Sequence, residues 1–148
     1  CLNEGGLIYV GLYSKFARKE LNSLREEIRE KGIKYNNAQI KSYRDLLIRS
    51  ILDRNKWVIN SQDFYSTSMF RDFLFHTQEE QFTLPEIKKI INDLGLIFCG
   101  FEDSKILNLF KKENKSSCDL YSLDKWHLFE SNNPHIFRGM YQFWCQKK

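Results

Sequence analysis

The stretch Thr83-Leu84-Pro85-Glu86 constrains the fold of this chain more tightly than any other. Three features together specify a helix start: a threonine that accepts from a first-turn amide, a proline where a missing N–H costs nothing, and a glutamate three residues on that returns the capping bond. Ile87, Ile90, Ile91 and Leu94 follow at helical spacing and mark the buried face. Gly95 is placed to close the helix, and Leu96-Ile97-Phe98-Cys99-Gly100-Phe101 reads as a buried strand. A helix that stops at a glycine and runs straight into an apolar strand is a building unit of α/β folds.

A second strand is expected at Leu7-Ile8-Tyr9-Val10, after Gly5-Gly6. Its unbroken apolar run suits burial on both faces, as in a parallel sheet. The strand ends near Tyr13, and Ser14 can cap a helix whose apolar face is Ala17, Leu21, Leu24 and Ile28, with Gly32 at its end. Ile40, Tyr43, Leu47 and Ile51 mark a second helix after Asn36 or Asn37, so the two form an amphipathic hairpin. Trp57 to Ser68 reads as a loop in which Ser66, Thr67 or Ser68 caps a short helix through Phe75. Further on come a short helix around Ile106, Leu107 and Phe110, a polar loop Lys111 to Ser117, a helix from about Ser122 through Phe129, and a turn at Pro134. Met140-Tyr141-Gln142-Phe143-Trp144-Cys145 reads as a closing strand.

Composition excludes several classes. With 148 residues, of which 42% are hydrophobic, the chain fits one domain with a core. No apolar stretch reaches the roughly 18 residues of a membrane helix, and the first residues lack the basic and apolar regions of a signal peptide, so a soluble protein without membrane partners is expected. The net charge of +4 is spread along helices where lysines alternate with glutamates, which argues against a nucleic-acid surface. Cys1, Cys99, Cys118 and Cys145 have no CxxC spacing, and His76, His127 and His135 form no local metal signature. Glycine-rich phosphate loops are absent as well.

The densest polar constellation is Tyr65-Ser66-Thr67, Arg71-Asp72, His76 and Glu79-Glu80. On a helix Asp72 and His76 share a face, so the carboxylate can orient the imidazole and raise its basicity as a general base. The competing reading is a surface pair worth a few tenths of a kcal/mol, roughly, with Phe70, Phe73 and Leu74 as core. Tyr13-Ser14 lies at the end of a strand where open α/β sheets place ligands, although Ser14 also reads as a plain helix cap. Trp126, Phe129, Phe137, Tyr141, Phe143 and Trp144 are interleaved with a single cation, Arg138, in place of a run of arginines and lysines, so they read as core in preference to a base-stacking surface.

The opening Leu2-Asn3-Glu4-Gly5-Gly6-Leu7-Ile8-Tyr9-Val10-Gly11 resembles the entry into the fifth strand of class I S-adenosylmethionine-dependent methyltransferases. Thr83 to Ile87, running through Leu94-Gly95-Leu96-Ile97-Phe98, resembles the helix and sixth strand that follow in that family. Blocks over most of the chain resemble the methyltransferases often fused to tetratricopeptide repeats: Gly11-Leu12-Tyr13-Ser14, Asp63 to Ser68, Arg71 to His76, Phe82 to Pro85, Asn133-Pro134 and Phe137 to Trp144.

The resemblance implies an α/β fold, the C-terminal part of a Rossmann-like class I methyltransferase sheet (strands five to seven). Residues 15–80 would be a helical insertion on the substrate side, and 83–148 a helix-strand unit with the closing strand. Met140 to Gln146 would be the seventh strand, antiparallel and inserted between the fifth and sixth. The cofactor would be S-adenosylmethionine, bound mainly by an N-terminal half whose glycine-rich loop, ribose-binding acid and adenine-flanking loop have no counterpart here. The chain alone is then expected to be inactive, to pair with that half, and to self-associate through an exposed strand edge. The implied setting is cytoplasmic. Within it Tyr13, Tyr65 and Arg71 would position an unidentified methyl acceptor, with Asp72 as orienter and His76 as base. The alternative is a non-catalytic α/β interaction module with an aromatic partner surface.

Overall fold

The structure is a computed structural model that describes residues 2–34, 36–49, 62–75, 79–114 and 117–148. The chain divides into two compact units, Cys1–Arg18 with Glu80–Lys148, and Lys19–Glu79.

The first unit is an α/β layer. Its strands are β1 (Leu7–Ser14), β2 (Gln81–Phe82), β3 (Leu96–Phe101) and β4 (Tyr141–Lys147), in the sheet order β2-β1-β4-β3. Strand β4 is antiparallel to both neighbours, with Tyr9 opposite Trp144 on one side and Phe101 opposite Phe143 on the other. Strands β1 and β3 therefore run in the same direction, with β4 inserted between them. The short β2, absent from the sequence expectation, pairs in parallel with the end of β1 through Tyr13–Gln81 and Ser14–Phe82. Two residues are too few to carry a periodicity signal.

The helix after β2 starts where the sequence places it. It spans Leu84–Asp93, the Thr83 side chain accepts from the Glu86 amide, and the Glu86 carboxylate accepts from the Thr83 amide at 2.7 Å. Gly95 ends it at φ +63°, a region costly for residues with a Cβ. Two more helices, Ser104–Glu113 and Leu123–Asn132, are capped by Asp103 and Ser122. All three helices contribute to one core: Leu84 and Ile87, Phe110, and Trp126 with Phe129 pack with Phe98, Phe143 and Cys145 of the sheet. Phe110 stacks on Trp126 with ring centroids 3.8 Å apart. The Trp126 indole N–H donates to the Leu120 carbonyl at 2.9 Å. Five of the six C-terminal aromatics are therefore core, and Trp144 alone is exposed.

The expectation that the strand at Leu7–Val10 is buried on both faces is corrected here. Leu7, Ile8 and Tyr9 are 57%, 41% and 45% exposed, and Ile97 of β3 is exposed too. Along β4, Tyr141, Phe143 and Cys145 are buried whereas Gln142 and Trp144 are exposed. That alternation marks a sheet covered on one face, the pattern open to antiparallel pairs. Ile90 and Leu94, read as buried helix positions, are exposed as well.

The second unit is helical. Lys19–Glu30 and Asn37–Arg49 form the expected hairpin, with Gly32 at φ +61° between them and Asn36 accepting from the Gln39 amide. The first helix starts later than the sequence suggests, because Ser14 caps the turn over Lys15–Arg18 instead. Helices Gln62–Tyr65 and Thr67–Phe75 complete the unit, the first lying where a loop was expected. The core joins Leu21, Leu24, Ile40, Tyr43, Phe64 and Phe70. Arg25 donates to the Phe73 carbonyl at 2.8 Å and to the Glu79 carboxylate at 3.1 Å, tying the last turn of the Thr67–Phe75 helix. Ile51 and the first part of the expected loop, residues 57–61, lie outside the described residues.

Candidate functional site

The carboxyl end of β1 gathers the densest buried polar chemistry of the first unit. Ser14 leaves the strand with its side chain turned inward and 1% exposed. Its hydroxyl donates to Oε1 of Glu130 at 2.6 Å and accepts from the Ala17 amide at 3.1 Å. Tyr141, at the start of β4, donates its hydroxyl to the same carboxylate, 2.7 Å from Oε1 and 2.8 Å from Oε2. Both Glu130 and Tyr141 are 0% exposed. One carboxyl group thus ties together the end of β1, the start of β4 and the helix Leu123–Asn132.

Burial holds the Glu130 carboxyl above its ordinary range. The Ser14 and Tyr141 hydrogen bonds and the nearby His127 pull the other way without offsetting the desolvation. Burial, then the Glu130 charge, pushes the Tyr141 phenol up, so it stays a neutral donor. His127 lies one turn before Glu130 with its ring edge toward Phe16, centroids 5.9 Å apart. Its Nδ1 is buried and finds no partner among the described residues.

Tyr13 is half-buried beside this cluster, and the Arg18 guanidinium sits over its ring, 4.2 Å from the centroid. A cation in that position fixes the ring face and places positive charge at the strand end. The sequence reading does not name Glu130 or Arg18, and it places Tyr141 in the core without a polar role. Glu130 lies in an ordinary helical stretch, Leu128-Phe129-Glu130-Ser131, and its partners are 116 and 11 residues away.

The other candidate residues belong to the helical unit. Tyr65 is 67% exposed with its ring against Phe64. Arg71 is half-buried and Asp72 exposed, both within Thr67–Phe75. His76 lies outside the described residues, so the Asp72–His76 pair is described on one side only. A surface depression of about 280 Å³ on the hairpin is lined by Lys31, Ile33, Gln39, Ser42, Tyr43 and Leu46, together with Gly32, and by none of the candidate residues. Burial and the Glu27 charge push the Tyr43 phenol up to about 12.

Among the described residues no three histidine, cysteine or carboxylate side chains converge to hold a metal ion. No described helix is long and apolar enough to cross a membrane. No protein-family model matches the chain.

Proposed function

We propose that this chain is the C-terminal portion of a class I S-adenosylmethionine-dependent methyltransferase, with the carboxyl end of β1 facing the methyl acceptor. The observation that supports this reading is the sheet order β1-β4-β3 with β4 antiparallel between two strands of common direction. That is the arrangement the resemblance implies for strands five, seven and six. The strand pairing is independent of the residue motifs that suggested the family, which gives it weight.

Among the described residues no cofactor cradle is formed. Gly5 lies in a turn before β1, where its amide donates to the Lys147 carbonyl, whereas a phosphate- or cofactor-binding glycine loop follows a strand and opens a helix. The cofactor-binding residues are accordingly assigned to preceding sequence, and no residue described here is given that role.

The part left to this chain is orientation of the acceptor, the main contribution to an in-line displacement, with removal of a proton where the nucleophile carries one. Tyr13, its ring held by Arg18, and the Ser14–Glu130–Tyr141 cluster fix the strand end. Tyr65 and Arg71 are assigned to acceptor positioning, Asp72 to orienting His76, and His76 to the base.

The test is transfer of a radiolabelled methyl group by the longest polypeptide that the source gene encodes through this segment. His76→Ala is expected to flatten the acid limb of the kcat/KM profile against pH, where protonation disables a base, and an unchanged profile removes the base assignment. A second reading, a non-catalytic interaction module, draws on the exposed Tyr9–Trp144 pair, with ring centroids 4.9 Å apart. It predicts no transfer by any form of the gene product.

A further inference from the structure

The depression of about 280 Å³ on the helical hairpin lies wholly within the second unit and has a wall of mixed chemistry. Ile33, Leu46 and the Tyr43 ring supply apolar surface, and Lys31, Gln39 and Ser42 supply polar groups. Tyr43 is 3% exposed, yet its hydroxyl has no hydrogen-bond partner among the described residues. Tyr141, as deeply buried in the first unit, gives its hydroxyl to Glu130. Buried polar groups are nearly always paired, and leaving one unpaired costs stability. An orphan hydroxyl on a residue that lines a cavity therefore calls for a partner that the chain does not supply.

The unused capacity of this wall is for donation. Burial and the Glu27 charge hold the Tyr43 phenol at about 12, so it keeps its proton at neutral pH. The Gln39 side-chain carbonyl accepts from the Lys34 amide, which leaves the NH2 end of the same side chain to donate. Lys31 is balanced by its ion pair with Glu27 at 2.5 Å. We propose that this depression binds a small uncharged carbonyl compound, its oxygen accepting from the Tyr43 hydroxyl and its apolar body lying against Ile33 and Leu46. An anion is disfavoured there, because the Glu27 charge acts on the phenol and already engages Lys31. Lys31 and Leu46 are each close to half-exposed, so rotation of these two side chains opens the way to the hydroxyl.

Nothing in this assignment rests on the methyl-transfer reading. The test is titration of the 148-residue chain with acetanilide, a neutral aryl amide, followed by amide NMR shifts. Saturable shifts centred on Ile33, Ser42 and Leu46 are expected. Tyr43→Phe is expected to weaken acetanilide binding about 10-fold, the worth of one neutral hydrogen bond. Phenylacetate, of similar shape but anionic, is expected to bind more weakly than acetanilide. Because the hydroxyl has no internal partner, Tyr43→Phe is also expected to keep a urea midpoint at or above that of the parent. Leu46→Glu, at an exposed position, is expected to abolish binding with an unchanged circular dichroism spectrum. The proposal is overturned by the absence of saturable shifts, by shifts centred elsewhere, or by acetanilide binding that survives Tyr43→Phe or Leu46→Glu. It is equally overturned by phenylacetate binding as tightly as acetanilide, or by a Tyr43→Phe chain less stable than the parent.

Discussion

Glu130 is a carboxyl group with no solvent contact and two hydroxyl partners, and its environment makes opposing demands. The hydrogen bonds favour the ionised form and the desolvation favours the neutral one, with the net effect upward. A carboxyl whose folded value exceeds its unfolded value binds its proton more tightly when folded. Its contribution to stability is therefore full below the ordinary value of 4.5 and is lost as pH rises through the raised folded value. Glu130→Gln, which keeps the shape without the charge, is expected to abolish that decline when urea midpoints are measured across the acid-to-neutral range. Tyr141→Phe leaves the carboxylate with Ser14 as its sole hydroxyl donor and is expected to cost roughly 1.5–3 kcal/mol at neutral pH in the same assay. Glu86 runs in the opposite sense, because the Thr83 hydrogen bonds hold its carboxyl low and its share is lost on acidification. The two glutamates also differ in legibility. Glu86 is readable three residues from its partner, whereas the role of Glu130 depends on strand pairing that brings distant positions together.

Local chemistry accounts for the elements that the sequence reading located best. The Thr83 cap, the Gly95 terminus and the Ser122 cap each depend on neighbours within four residues, so the helices Leu84–Asp93 and Leu123–Asn132 start as expected. Thr83→Ala is expected to lower stability by about 1 kcal/mol in thermal or urea unfolding, as loss of an N-cap does. Trp126, fully buried and stacked on Phe110, is a different case; Trp126→Ala is expected to cost about 3–5 kcal/mol in urea unfolding. Five of the six aromatics near the C-terminus are core, as their few interleaved cations suggest, and Trp144 is the exception. Solvent exposure of β1 was not legible. An apolar run records what a strand is suited to contact, and Leu7-Ile8-Tyr9-Val10 reads the same with either of its faces or edges open. The two-residue β2 and the four-residue helix Gln62–Tyr65 fall below the length at which periodicity distinguishes an element.

At the scale of the whole molecule, the α/β character and the antiparallel insertion of β4 between β1 and β3 agree with the sequence expectation. The site was legible in part: Tyr13 and Ser14 at the strand end were singled out, but the carboxyl that anchors Ser14 was not. The proposal that this chain is the acceptor-facing portion of a methyltransferase divides the labour between cofactor binding by preceding sequence and acceptor orientation here. That division is tested most directly by calorimetric titration with S-adenosylhomocysteine, performed side by side on the longest polypeptide encoded through this segment and on the 148-residue chain. The account predicts saturable micromolar binding to the longer polypeptide and none to the chain alone. Saturable binding to the chain alone, or no binding to either, contradicts it.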